Sequence, residues 1–111
     1  MDIAAFLAEF EQATAEAGYF ERVLLDVIED VARGRGFLRA GMFLSFYFNG
    51  RTQTLAFALI EGNERLWGID RDNFVGWHRH PLGATERHDP ISPMSVSEIV
   101  QELTEVVNTF L

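Results

Sequence analysis

Phe37-Leu38-Arg39-Ala40-Gly41-Met42-Phe43-Leu44-Ser45-Phe46-Tyr47-Phe48 is followed at once by Asn49-Gly50. The run is rich in aromatic residues and has no stripe at helical spacing, which predicts a strand bent at Gly41. Asn-Gly is a strong hairpin signal, because both residues tolerate the positive φ of a tight type I′ turn. Thr52 to Ile60 reads as the return strand, with Leu55, Phe57 and Leu59 alternating against Thr54, Ala56 and Ala58. Glu61-Gly62-Asn63-Glu64 is a second turn, and Arg65 to Asp70 a third strand. Residues 37–70 therefore predict a three-stranded antiparallel meander.

The flanks read as helices. Ile3, Phe6, Leu7, Phe10, Ala13 and Ala17 recur at the 3- and 4-residue spacings of one helical face, with Asp2 placed as N-cap and Gly18 as terminator. Phe20, Val23, Leu24, Val27, Ile28 and Val31 repeat that spacing, which predicts a second helix over 19–33, stopped by Gly34 and Gly36. At the other end, Ser95 and Glu98 form a capping box ahead of Val96, Ile99, Val100, Leu103, Val106, Val107 and Phe110. The expected fold is a single α+β domain over 1–111, in the order α-α-β-β-β-loop-α. An acidic helical pair (1–33), the β meander (37–70), a His/Arg-rich loop (71–94) and a C-terminal helix (95–111) follow one another, with the helices packed on one face of the sheet.

Composition narrows the function. The chain has 111 residues, 48% of them hydrophobic and ten of them Phe, so it can bury a real core and is not intrinsically disordered. It contains no cysteine, which removes thiolate catalysis, disulfides and cysteine zinc sites. No apolar run approaches the roughly 18 residues of a membrane span, and Met1-Asp2-Ile3-Ala4 lacks the basic start of a secretory signal. A soluble cytoplasmic protein is the expectation. The net charge is −8, and all nine cations are arginine. Residues 1–32 hold eight acids and one Arg, whereas residues 33–87 hold eight Arg and five acids. An anionic ligand would meet the centre. A basic protein partner would meet the acidic N-terminal third.

Chemistry concentrates in residues 70–89, where His78, His80 and His88 fall within eleven residues beside Trp77, Arg79, Arg87 and several carboxylates. Three readings compete. His78 and His80 point the same way on an extended chain, so with His88 they form a candidate divalent-metal site, completed by Asp70, Asp72 or Asp89. Alternatively, an imidazole moves a proton on a phosphodiester without a metal cofactor, Arg79 or Arg87 stabilises phosphate charge, and Trp77 or Phe74 stacks a base. The third reading is that these His and Arg residues pair with nearby acids and only pin down the loop.

The same stretch resembles the TumE-like proteins, toxin partners of toxin–antitoxin operons in bacteria and archaea. In that family the last strand of an antiparallel sheet runs into Arg-x-Asp-Asn, then a His-rich segment, then a terminal helix. Arg71-Asp72-Asn73 is nearly that motif, with the Arg one position closer; Trp77-His78-Arg79-His80-Pro81 and His88 stand for the His-rich segment, and Ser95 to Phe110 for the helix. The likeness covers residues 51–110. It implies Asp72, Asn73, His78, His80 and His88 as functional residues. Together these readings give a toxin-like, metal-independent ribonuclease with no cofactor, His78 or His80 as acid or base and Asp72 orienting a His. Arg79, Arg87, Trp77, Asn73 and His88 would meet the substrate. The antitoxin is the expected partner and RNA the candidate substrate. The alternative is a non-enzymatic acidic module (an inhibitor, immunity protein or accessory subunit) that binds a basic protein, and a homodimer through an exposed sheet edge is a further option.

Overall fold

The computed structural model describes residues 1–111 apart from the side chain of Ala40. It is an α+β fold with two helices and one antiparallel sheet of seven strands, arranged β1 to β7 in chain order. Helix α1 spans Ile3–Ala17 and α2 spans Val96–Asn108. The strands are β1 (Phe20–Ile28), β2 (Val31–Leu38), β3 (Met42–Asn49), β4 (Thr54–Glu61), β5 (Glu64–Asp72), β6 (Gly76–His80) and β7 (Asp89–Pro90). Among the described residues, no helix is long and apolar enough to cross a membrane.

The expected second helix is instead the β1–β2 hairpin. Its turn is Glu29-Asp30, closed by the pairing of Ile28 with Val31, and Glu29 adopts φ 54° without being glycine or asparagine. A turn whose one turn-forming residue, Asp30, sits in a run of helix-compatible acids leaves little signal. β1 is also apolar on both faces, so it shows no period-2 alternation, and its aliphatics happen to fall at helical spacing. Gly34 and Gly36, expected as helix stops, lie inside β2. A Cβ on Gly34 would stand 1.9 Å from the Leu24 carbonyl oxygen, and one on Gly36 would stand 2.6 Å from the Phe20 ring. These glycines let β1 fold closely over β2.

The three expected central strands correspond to β3, β4 and β5. The expected single strand over 37–48 is instead two: Phe37 and Leu38 end β2, a short 3₁₀ turn over Arg39–Gly41 reverses the chain, and Met42 opens β3 antiparallel to β2, with Gly41 at φ 75°. Asn49 opens a four-residue connection rather than a two-residue type I′ turn. It pairs with Thr54, its side chain accepts from the Arg51 and Thr52 amides, and Gln53 takes the positive φ. The expected loop over 71–94 contains β6 and β7, so the meander has seven strands rather than three.

Directly paired residues share a face of a sheet, and the register therefore sorts the two faces. Leu44, Phe46 and Phe48 of β3 pair with Leu59, Phe57 and Leu55 of β4, which pair with Trp67, Ile69 and Arg71 of β5. This face carries both helices. Phe6 of α1 stacks on Phe48 and Phe10 packs at a tilt against Phe46, with ring centroids 4.6 and 4.3 Å apart, and Ile99, Leu103 and Val107 of α2 complete the same core. Both helix starts are capped as expected. The Asp2 carboxylate accepts from the Ala5 amide, and Ser95 and Glu98 form the reciprocal capping box. Glu9 of α1 accepts from the Ser97 amide and so ties the two helices together.

The opposite face carries Arg33, Arg35 and Phe37 of β2, Phe43, Ser45 and Tyr47 of β3, Ala56 and Ala58 of β4, Gly68 and Asp70 of β5, and His78 and His80 of β6. The Arg35 guanidinium lies 5.0 Å from the Phe43 ring centroid. The connection from Pro81 to His88 folds over the β6 end of this face, and His78 and His80 are only 3% and 4% exposed.

Candidate metal centre

The centre forms where β5 and β6 pair. Asp70 stands directly opposite His78 and diagonally from His80, which pairs with Gly68. The His-x-His spacing on an extended strand puts both imidazoles on Asp70's face, as the sequence predicts. His88, carried by the connection, completes the group. Its ring centroid is 5.2 Å from that of His78 and 4.7 Å from that of His80. One nitrogen from each of the three rings can be chosen so that all lie within 4.8 Å of one another.

The hydrogen bonds assign the tautomers. His78 Nδ1 is 3.0 Å from the Gly76 carbonyl oxygen, and His80 Nδ1 is 2.8 Å from that of Thr85. A carbonyl only accepts, so both Nδ1 atoms carry protons and donate. In the neutral rings Nε2 is then a lone pair. The two Nε2 atoms lie 3.5 Å (His78) and 3.0 Å (His80) from the same oxygen, Asp70 Oδ2. The His80 contact is a hydrogen bond when Nε2 carries a proton, and a cation shared by the three atoms would serve the same end. Asp70 Oδ1 is buried and has no hydrogen-bond partner among the described residues. Imidazoles whose Nδ1–H groups are held by main-chain carbonyls, with Nε2 turned inward, have the orientation of metal ligands. In a tetrahedral shell with bonds near 2.1 Å, donor atoms stand about 3.4 Å apart, close to the spacings around Asp70.

Arg65 also belongs to this face. Its Nη2 lies 3.6 Å from Asp70 Oδ2, and it crosses above Gly68, where a Cβ would come within 3.4 Å of Arg65 Nε. Its side chain is 37% exposed, so it presents a cation beside the cluster.

The other expected site residues divide by strand parity and by turn. Trp77 and Arg79 point to the helix face. Arg79 makes a two-pronged ion pair with Glu102 of α2, which raises its pKa further, and the same carboxylate accepts from Trp67 Nε1. Arg79 is therefore a strut between sheet and helix, turned away from the imidazoles. Asp72 does not orient a His; Asp70 does. The Asp72 carboxylate accepts from the Val75 and Phe74 amides, which hold it below the usual carboxylate range and shape the β5–β6 turn. Asn73 and Arg71 bond to each other and to main-chain oxygens of the β3–β4 connection. Arg87 is exposed and pairs with Asp89, next to His88 in the chain. Phe74 is 99% exposed at the turn's tip. Reading the sequence did not assign Arg65, and it weighed Asp70 only as one carboxylate of three. The signal for Asp70 was the short turn after Asp72, which folds residue 78 back onto residue 70.

Among known proteins, the chain matches no family model, no curated protein and no solved structure. The functional reading therefore rests on the site.

Proposed function

We propose that the protein is a small toxin-like enzyme of a toxin–antitoxin pair, acting on a phosphodiester of RNA. Its working centre is one divalent transition metal held by His78, His80, His88 and Asp70. The observation that carries this reading is the convergence of two carbonyl-tethered imidazoles on one carboxylate oxygen. Nitrogen and carboxylate donors of this kind suit zinc, manganese or iron. In this reading His78 and His80 do not move protons, because one nitrogen of each binds metal and the other holds a carbonyl. A bound metal would polarise a phosphoryl oxygen and activate water. Arg65 would neutralise phosphate charge in the role that Arg79, on the other face, cannot take. RNA as the substrate class is supported by Arg33, Arg35, Phe37, Phe43 and Tyr47 on the same open face, since arginine and aromatic surfaces suit single-stranded nucleic acid.

The test measures metal content and RNA cleavage separately. Calorimetric titration with zinc and with manganese should show one ion per chain, lost in His80→Ala. RNA cleavage should require that ion, stop with chelator, and fall in Arg65→Ala while metal binding persists. Absence of binding to either ion overturns the metal centre. Tight binding without cleavage overturns the RNA assignment alone.

A further inference from the structure

β1 forms the free edge of the sheet, opposite the metal-binding end, and it is uncovered on both faces. Val23, Leu24, Leu25, Val27 and Ile28 are all exposed, between 37% and 60%. A groove of about 490 Å³ beside it, lined by Leu7, Phe10, Phe20, Val23 and Leu25 among others, separates α1 from the strand. An open edge with unpaired amides and carbonyls and this much exposed aliphatic surface is a template for another strand.

The sequence of β1 says which strand fits. Phe20-Glu21-Arg22-Val23-Leu24-Leu25-Asp26-Val27-Ile28 is complementary to itself when turned about Leu24. In that antiparallel register Arg22 faces the second copy's Asp26, Val23 faces its Leu25, Phe20 faces its Ile28, and Leu24 meets Leu24 on the two-fold axis. Arg22, Leu24 and Asp26 pair in-chain with Phe37, Arg35 and Arg33, so all three lie on the open face. Among the described residues, neither Arg22 nor Asp26 forms an ion pair within the chain. Moving the axis one residue either way sets Arg22 or Asp26 against leucine and loses both ion pairs. Charge complementarity therefore selects one register, and a symmetric interface satisfies it twice.

We infer that two copies of this chain join edge to edge through β1, with Leu24 on the axis. The product is one continuous antiparallel sheet with seven strands from each copy and the two His centres at its far ends. Arg33 and Arg35 of both copies then flank the axis on one shared open face. This inference does not depend on the reading of the metal centre.

Light scattering coupled to size exclusion, on the full chain across a dilution series, tests it. Wild type should run as a dimer. Leu24→Asp, at an exposed position, should run as a folded monomer by circular dichroism. Arg22→Asp and Asp26→Arg should each weaken the dimer by roughly tenfold, since each sets like charges opposite one another twice. The double variant Arg22→Asp/Asp26→Arg should restore it. Because the chain has no cysteine, Leu24→Cys should oxidise to a covalent dimer, whereas Ile28→Cys should not. A wild-type monomer at every concentration overturns the proposal. Failure of the double variant to recover, or equal cross-linking by Ile28→Cys, overturns the register and with it the interface.

Discussion

The two ends of the sheet are each built on a hairpin, and they carry opposite deficits. At the β5–β6 end, polar atoms are buried without enough partners. Two imidazole nitrogens face one carboxylate oxygen, and the other carboxylate oxygen has no partner among the described residues. At the β1–β2 end, apolar side chains are exposed without enough cover. Burying unpaired polar groups costs free energy, and so does exposing contiguous aliphatics. A cation at one end and a second copy's β1 at the other would relieve these deficits. The core between them is complete, because stacked phenylalanines from α1, β3 and β4 fill it.

The largest effect should come from the shared core. Phe57→Ala removes a fully buried ring that packs edge-on against Phe6 and Phe10 and should cost about 3–5 kcal/mol. Denaturant unfolding measures the loss. Hydrogen exchange should show both ends of the sheet losing protection together. Protection retained at one end alone would mean that the two hairpins are independent units.

Gly34→Ala should separate the ends. Its Cβ would strike the Leu24 carbonyl oxygen at 1.9 Å, forcing β1 away from β2 at a cost of about 1–3 kcal/mol. Amides of 20–38 should exchange faster while those of β5 and β6 keep their protection, and metal affinity should be unchanged.

Asp70→Asn should act on the other end alone. The carboxylate oxygen lies close to His80 Nε2, His78 Nε2 and Arg65 Nη2, and the neutral amide removes its charge. The metal-free protein should lose about 1 kcal/mol, roughly 4 °C in melting temperature, and metal-induced stabilisation should disappear. An unchanged melting temperature of the metal-free variant would mean that these contacts hold nothing together without an ion.

The smallest effect belongs to a position remote from both deficits. The Glu98 carboxyl is held below its ordinary value by the Ser95 amide, and then by the Ser95 hydroxyl. A depressed folded pKa contributes stability above the unfolded value, near 4.5, and that contribution is lost as pH falls through the folded one. The melting temperature of Glu98→Gln should therefore lie slightly below wild type at neutrality and converge with it as pH falls below about 4.5.

What was legible in the chain follows from where local chemistry and tertiary burial agree. α1 and α2 carry caps and one-sided apolar stripes, β3 is aromatic and β4 alternates against small residues, so pattern and environment coincide. The β1–β2 hairpin has only Asp30 as a turn residue and a first strand without alternation, and its second strand is paired on both sides, by β1 and by β3. At the site, clustering in the sequence singled out the segment that carries His78, His80 and His88 but left open whether their rings meet, which depends on how the connection folds back over β6. It also grouped Arg79 and Trp77 with them, because nearness along a strand ignores the alternation that sends adjacent residues to opposite faces.

By itself, then, the sequence determined which residues are apolar enough to bury, where both helices begin, that a central antiparallel meander exists, and which segment holds the imidazoles. The tertiary structure alone decided that Asp70 rather than Asp72 meets them, that Arg65 rather than Arg79 stands beside them, and that β1 is left uncovered. Those outcomes depend on strand register and on which face the helices occupy. Both are set by the pairing of residues distant in the chain, and no local pattern encodes them.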